Sequence, residues 1–341
     1  MGADAALHVV AAVLCDAQGR VLLARRPEGK AHAGLWEFPG GKLDPGETAF
    51  AALRRELQEE LGIGLVAAEP LIRVPVAAEA DHAESPDIVL RLEVWRATHW
   101  QGELRPREHS ALAWVEPAAL AEASRWPMPP ADRPVRAALE DPARVWITPP
   151  VAASAAAEAE LLARAEALLA EGLRRLQLRV GPEHPGQRQR LAQALAPRCA
   201  AVGAEMLVHG DAALAEALGL GLHLRAGQLA EPPAALARLL AAGRPCSAAV
   251  HNAGELQRAA DLGLGSVLLG PVHATPTHPG QAGLGWAGFE ALRARVPALP
   301  VYALGGLGPE DLAEARQYGA QGVAGIRGFR PALRGASGSR C

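Results

Sequence analysis

The segment from Gly41 to Ile63 constrains this chain more than any other. Gly41-Lys42-Leu43-Asp44-Pro45-Gly46-Glu47 leads through residues 48–54 to Arg55-Glu56-Leu57-Gln58-Glu59-Glu60-Leu61-Gly62-Ile63. Phe50, Leu53, Leu57 and Leu61 recur at the spacing of a helix with one buried stripe, with Thr48 as its cap and Gly62 as its stop. On that helix Glu56, Glu59 and Glu60 stand at i, i+3 and i+4 and project from one face. Three carboxylates on one patch repel; a hard divalent cation with oxygen ligands removes that cost, and a triphosphate completes its shell. Arg55 is placed to clamp Glu47 and so fix the loop against the helix, while the glycines allow close approach of the backbone. A solvated charged face is the ordinary reading of such a run. It does not call for glycines and Glu47 at set distances upstream.

The chain has 341 residues, which suits two domains rather than one. Half of its residues are hydrophobic and 21% charged, the balance of a globular protein, and a net charge of -3 offers no general attraction to polymeric nucleic acid or to an anionic membrane surface. No apolar run reaches membrane-spanning length and no secretory leader is evident, so the cytoplasm is the expected compartment. Cys15, Cys199, Cys246 and Cys341 lack zinc or disulfide spacing and read as free thiols.

Ahead of the box, residues 7–14 and 21–24 around Gln18-Gly19 read as a hairpin. Behind it, 88–94 and 112–115 read as strands, and 118–123 and 133–139 as short helices, which together suggest an α/β sandwich. The boundary falls near Asp141-Pro142: residues 1–141 form the first domain, 145–333 the second, and 334–341 a flexible tail. In the second part, short apolar runs at 145–148, 176–180, 206–209, 221–224, 246–250, 266–270, 301–304 and 322–326 alternate with amphipathic helical stretches. Eight strand–helix units predict a closed (β/α)₈ barrel, with a doubly wound open sheet as the alternative.

The box, with Leu35-Trp36-Glu37-Phe38-Pro39-Gly40-Gly41-Lys42 before it, resembles the Nudix hydrolases, and within them the MutT-type 8-oxo-dGTP diphosphatases, over about residues 7–140. The resemblance implies an α/β/α sandwich and a Mg²⁺-dependent hydrolase, Mn²⁺ being the other suitable ion. It implies Glu56, Glu59 and Glu60 as metal ligands together with the Gly40 carbonyl and Glu108, with Arg55 and Glu47 completing the catalytic set. Arg26 is placed near the substrate phosphates, and Phe38 and Asp132 at the substrate. Pro129-Pro130-Ala131-Asp132-Arg133-Pro134-Val135 resembles that family's base-reading segment, with Asp132 where the family has asparagine. An ionised aspartate only accepts hydrogen bonds, so contact with O6 of 8-oxoguanine requires a protonated carboxyl or a reoriented base. Asp132 as the N-cap of the following helix is an equally natural reading, and Glu108, taken alone, is a surface acid.

The second part resembles thiamine phosphate synthase and its non-synthase relatives through Leu176-Gln177-Leu178-Arg179, Gly221-Leu222-His223-Leu224, Val250-His251-Asn252, the run from Gly270 to Thr277, and Ala303-Leu304-Gly305-Gly306-Leu307. Gly305, Gly306 and Gly325 at strand ends, with Thr275 and Thr277, make a candidate phosphate cradle, although glycines after strands also serve as plain turns. The stretches that bring magnesium-binding carboxylates to a synthase read here His209-Gly210-Asp211 and Arg225-Ala226-Gly227-Gln228, and Val180-Gly181 stand where a lysine is expected. Synthase activity is therefore not expected. His223, His251 and His273 are candidate acid/base groups, or structural histidines.

The resulting expectation is hydrolysis of a nucleoside triphosphate, 8-oxo-dGTP, to the monophosphate and pyrophosphate, protecting DNA synthesis from an oxidised precursor. Two alternatives stand beside it: a pyrophosphatase for a thiamine precursor diphosphate, and a barrel that serves as a binding module for a thiamine-related phosphate.

Overall fold

A computed structural model describes residues 6–29, 32–77, 88–274 and 282–331. Thr275, Thr277, Cys341 and the tail 334–341 lie outside them.

The first domain is built from β1 (Leu7–Leu14), β2 (Val21–Arg25), β3 (Trp36–Glu37), β4 (Gly40–Lys42), α1 (Ala49–Leu61), β5 (Gly64–Ala77), β6 (Ile88–Gln101), β7 (Ala111–Val115) and α2 (Arg133–Glu140). One sheet runs β4-β1-β6-β5 and a second β3-β2-β7. β1 is buried on both faces. Val10, Ala12 and Leu14 pack with Leu53, Leu57 and Leu61 of α1, whereas Ala11 and Val13 pack with Val135 and Ala138 of α2. The domain is therefore an α/β/α sandwich with α1 laid across its sheet. Thr48 caps α1 through its side chain, and Gly62 ends it in the left-handed conformation.

The expected hairpin does not form. β1 spends one edge on β4 and the other on a parallel ladder with β6, from Leu7↔Leu90 to Leu14↔Ala97. β2 pairs with β3 and β7, so a single bridge, Cys15↔Val21, joins the two segments. The strand expected to stop at Val94 runs to Gln101, and its partner β5 was not anticipated, because Pro70 and Pro75 interrupt its pattern. The ladder absorbs these interruptions in register shifts, one of them between Pro70 and Ile72.

In the second domain β8 (Arg144–Ile147), β9 (Arg175–Leu178), β10 (Glu205–His209), β11 (Gly221–Leu224), β12 (Cys246–Val250), β13 (Ser266–Leu269), β14 (Val301–Leu304) and β15 (Gly322–Gly325) are all parallel, and β15 closes on β8. Closure rules out the open sheet. Val145, Ile147, Leu268, Tyr302 and Ala324 fill the interior, and the larger apolar cluster lies between strands and helices. At the strand starts Arg175 Nη1 donates to Tyr302 Oη at 2.8 Å, and Tyr302 Oη donates to the Pro142 carbonyl at 2.8 Å.

The two domains meet along β5 and β6. The Ala77 N–H donates to the Ala294 carbonyl at 3.0 Å, and Arg91 pairs with Glu290 at 3.5 Å. Among the described residues no helix is long and apolar enough to cross a membrane.

Candidate active site and barrel mouth

α1 carries the acidic face to the edge of its sheet, where β4 approaches it. The Gly40 N–H donates to Glu60 Oε2 at 2.9 Å, and a Cβ on Gly41 would lie 2.3 Å from the Glu56 carboxylate, so only glycine leaves that carboxylate in place. Arg55 does more than clamp Glu47. Its Nη2 donates to Glu47 at 2.9 Å and to the Lys42 carbonyl at 2.9 Å, while Nη1 donates to Glu56 at 2.8 Å and to Glu59 at 3.3 Å. This guanidinium holds the Glu47 carboxyl below the usual carboxylate range.

Glu60 is only 9% exposed. Burial pushes its pKa up to about 7 against the opposing pull of His109, and Glu56 and Glu37 add to the rise. The three carboxylates do not converge as the helical spacing suggested: Glu56 and Glu59 turn to Arg55, and Glu60 turns to Gly40. Among the described residues no three acidic or histidine side chains are closed into a ligand set. The donor set still fits a divalent cation. Glu56 and Glu37 add to the rise in the pKa of Glu60, a cost that a bound cation relieves, and the missing Cβ of Gly41 leaves the Glu56 carboxylate in place. Glu56 and Glu60, with Glu59, would hold the ion, which when bound offsets phosphate charge and lowers the pKa of water.

Glu108 is exposed on the loop before β7, and the side chain of its neighbour His109 reaches the acidic face. That side chain is 3% exposed, with Nε2 3.5 Å from Glu37 and 3.7 Å from Glu60, and its buried Nδ1 has no hydrogen-bond partner among the described residues. Its loop is tied to both walls: Arg107 N–H donates to the Glu60 carbonyl at 2.9 Å, and Ser110 N–H to the Arg25 carbonyl at 3.0 Å. Sequence reasoning missed His109, whose one signal was its place beside Glu108.

On the other side of Glu37 lie Arg26, which forms an ion pair with Glu37, and Asp132. Asp132 precedes α2 but makes no capping hydrogen bond, which removes the helix-cap reading. It is 6% exposed, and burial, reinforced by Glu37 and opposed by Arg26, pushes its pKa up to about 8. Phe38, expected at the substrate, is instead packed into the core with Val13, Leu23 and Val135.

The strand ends of the barrel surround a cavity of about 530 Å³ lined by Gln177, Arg179, His209, His223 and His251 on one side and by Gly305, Gly306 and Gly325 on the other. Gly305 has φ +113°, and a Cβ there would lie 2.6 Å from Pro271. His223 is buried, its Nδ1 2.8 Å from Ser247 Oγ, and burial with neighbouring His209 and Arg179 holds it well below the ordinary imidazole range. His273 instead packs edge-on against Trp286.

A carboxylate-bearing helix set behind a glycine loop, joined to a parallel barrel open at its strand ends, defines a two-domain pyrophosphohydrolase. Residues 7–139 match the Nudix domain model, and residues 147–329 match the thiamine monophosphate synthase model. The chain is 40% identical over 130 residues to the CTP pyrophosphohydrolase of Escherichia coli, covering 38% of this chain and 87% of that protein. It is 39% identical over 104 residues to the 8-oxo-dGTP diphosphatase of Proteus vulgaris, covering 30% of this chain and 87% of that one. Its second half is 33% identical over 173 residues to the thiamine-phosphate synthase of Nostoc, covering 50% of this chain and 48% of that protein, so the chain spans about half the length of that synthase. The chain belongs to both families, as a Nudix pyrophosphohydrolase domain followed by a thiamine monophosphate synthase-type barrel.

Proposed function

We propose that the Nudix domain hydrolyses 8-oxo-dGTP to 8-oxo-dGMP and pyrophosphate with Mg²⁺, Mn²⁺ being the other suitable ion, and so clears an oxidised nucleotide before DNA synthesis. The observation that carries this reading is the buried Asp132 with its pKa near 8. A carboxyl that keeps its proton at neutral pH has one O–H donor beside one C=O acceptor, the pair that an asparagine amide would offer. 8-Oxoguanine presents the complement, N7–H beside O6, whereas N7 of guanine has no hydrogen to give. Arg26 and Glu37 add a cation and an anion to the same pocket. The 8-oxo-dGTP diphosphatase among the relatives supports this substrate.

The same acid favours a second reading. Cytosine also places a donor, N4–H, beside an acceptor, N3, and a relative at 40% identity is a CTP pyrophosphohydrolase. The aminopyrimidine of a thiamine precursor diphosphate shares that edge. Steady-state kcat/KM with Mg²⁺ on 8-oxo-dGTP, dGTP, CTP and hydroxymethylpyrimidine diphosphate decides among them. The first reading requires 8-oxo-dGTP to exceed each of the others by at least about tenfold, roughly 1.4 kcal/mol of discrimination; a higher value for CTP transfers the assignment to cytosine nucleotides. For the barrel we propose ligand binding without thiamine phosphate synthesis.

A further inference from the structure

We propose that the cavity between the two domains, at the end of the barrel remote from its mouth, is a binding site for a small organic phosphate, held by Arg133 and Arg136 of α2 and by Arg244 of the barrel. The site is independent of the reading of the Nudix substrate and of the barrel mouth.

The cavity measures about 720 Å³ and lies where the barrel strands begin. One wall comes from the Nudix side, with Trp126, Met128 and α2; the other is made by the turns that lead into β12, β13 and β14. Its volume and its place between domains are those favoured by small-molecule sites. Backbone hydrogen bonds hold both walls: Trp36 N–H donates to the Pro127 carbonyl at 2.8 Å, Gly265 N–H to the Cys246 carbonyl at 3.0 Å, and Val267 N–H to the Pro300 carbonyl at 3.1 Å. The space between them is preformed.

Its charges are mismatched. Elsewhere the domains meet through opposite charges, Arg91 with Glu290. Here α2 presents Arg133 and Arg136, at i and i+3 on one helix face, and the barrel presents Arg244 in return. Among the described residues the guanidinium groups of Arg133 and Arg244 have no hydrogen-bond or ion-pair partner. Arg136 reaches Glu140 at 3.9 Å through Nε, and none of its guanidinium nitrogens has a hydrogen-bond partner among the described residues. The acids in the lining are Asp141 and Glu205. Arg175 engages both: its Nε donates to Glu205, and burial raises the pKa of Asp141 against the pull of Arg175 and, more weakly, Arg136. Three guanidinium groups are thus left for one ligand. Like charges set across a partly desolvated gap repel, and a dianionic phosphate relieves that repulsion through charge-assisted bidentate bonds. A monocarboxylate would leave most of the excess charge in place.

The rest of the lining suits an organic body. Leu120, Met128, Leu264 and Leu299 supply apolar surface, and Trp126 adds a flat ring held edge-on by Trp36 with centroids 5.0 Å apart.

Hydrogen exchange read by mass spectrometry on the full-length protein locates the ligand. With dGMP as probe, in excess EDTA to prevent metal-bridged binding at the Nudix carboxylates, we expect slowed exchange in residues 123–136 and 240–246 together. Arg244→Gln, at an exposed position, should weaken dGMP binding there at least about tenfold and remove most of that protection, leaving any protection at the barrel mouth unchanged. Arg244→Glu should raise the melting temperature of the ligand-free protein, because the facing charges then attract, and this gain separates lost binding from lost folding. Absence of protection in the two segments, wild-type protection in Arg244→Gln, or no rise in melting temperature in Arg244→Glu overturns the proposal. Inorganic phosphate that protects both segments at the same concentration as dGMP overturns its organic component.

Discussion

Gly41 faces the carboxylate of Glu56 so closely that a single added methyl group would lie 2.3 Å from it. The obstructing atoms are the end of a flexible side chain, so an alanine at 41 displaces the carboxylate rather than the backbone. Gly41→Ala is expected to fold with a melting temperature near wild type but to lose kcat by about 100-fold or more, as expected when charge stabilisation of the transition state is disturbed, and to require more divalent ion. Glu56→Gln and Glu60→Gln are the reference, with losses of similar or larger size. Wild-type turnover in either Gln variant would remove these carboxylates from catalysis.

Asp132 carries a pH signature. Its folded pKa of about 8 lies above the ordinary 3.8, so between those values the folded state keeps a proton that the unfolded state has lost, and stability declines as pH rises through that window. Asp132→Asn should therefore gain stability relative to wild type as pH is raised from about 4 to about 8, readable as diverging denaturation midpoints. In kinetics, wild-type preference for 8-oxo-dGTP over dGTP should fall above pH 8, where the O–H donor is lost. Asp132→Asn should keep the preference at all pH values, and Asp132→Ala should lose it. An unchanged ratio in the alanine variant would leave Asp132 a purely structural role.

His109 Nε2 lies between two carboxylates, 3.5 Å from Glu37 and 3.7 Å from Glu60. His109→Phe preserves the ring and deletes the nitrogens; we expect it to raise KM and lower kcat together, by about tenfold in kcat/KM, corresponding to about 1.4 kcal/mol. His109→Gln, which restores a nitrogen at the Nε2 position, should recover most of that loss. Equal activity of the phenylalanine variant and wild type would reduce His109 to packing.

The barrel is expected to make no thiamine phosphate. Around its mouth the stretches that would bring carboxylates to a magnesium diphosphate read His209-Gly210-Asp211 and Arg225-Ala226-Gly227-Gln228, and Asp211 caps the helix Ala212–Leu218 and pairs with Arg188. The full-length protein, supplied with hydroxymethylpyrimidine diphosphate, thiazole phosphate and Mg²⁺, should yield no product above background by chromatography. Steady formation would overturn this reading.

The sequence by itself determined the elements whose signal is local. The stripe of Phe50, Leu53, Leu57 and Leu61 defines α1 and sets three glutamates at i, i+3 and i+4 along it, and the alternation of short apolar runs with helices marks every strand of the barrel, because each βα unit repeats one simple pattern. Tertiary structure decided what depends on residues far apart in the chain. β1 and β2 read as a hairpin until the distant β6 claimed the free edge of β1. The loop after β6 inserts His109 between Glu37 and Glu60. Asp132 reads in the sequence equally as a helix cap; packing of α2 against the sheet buries it beside Glu37 and Arg26, and burial, reinforced by Glu37 and opposed by Arg26, penalises its charge and raises its pKa.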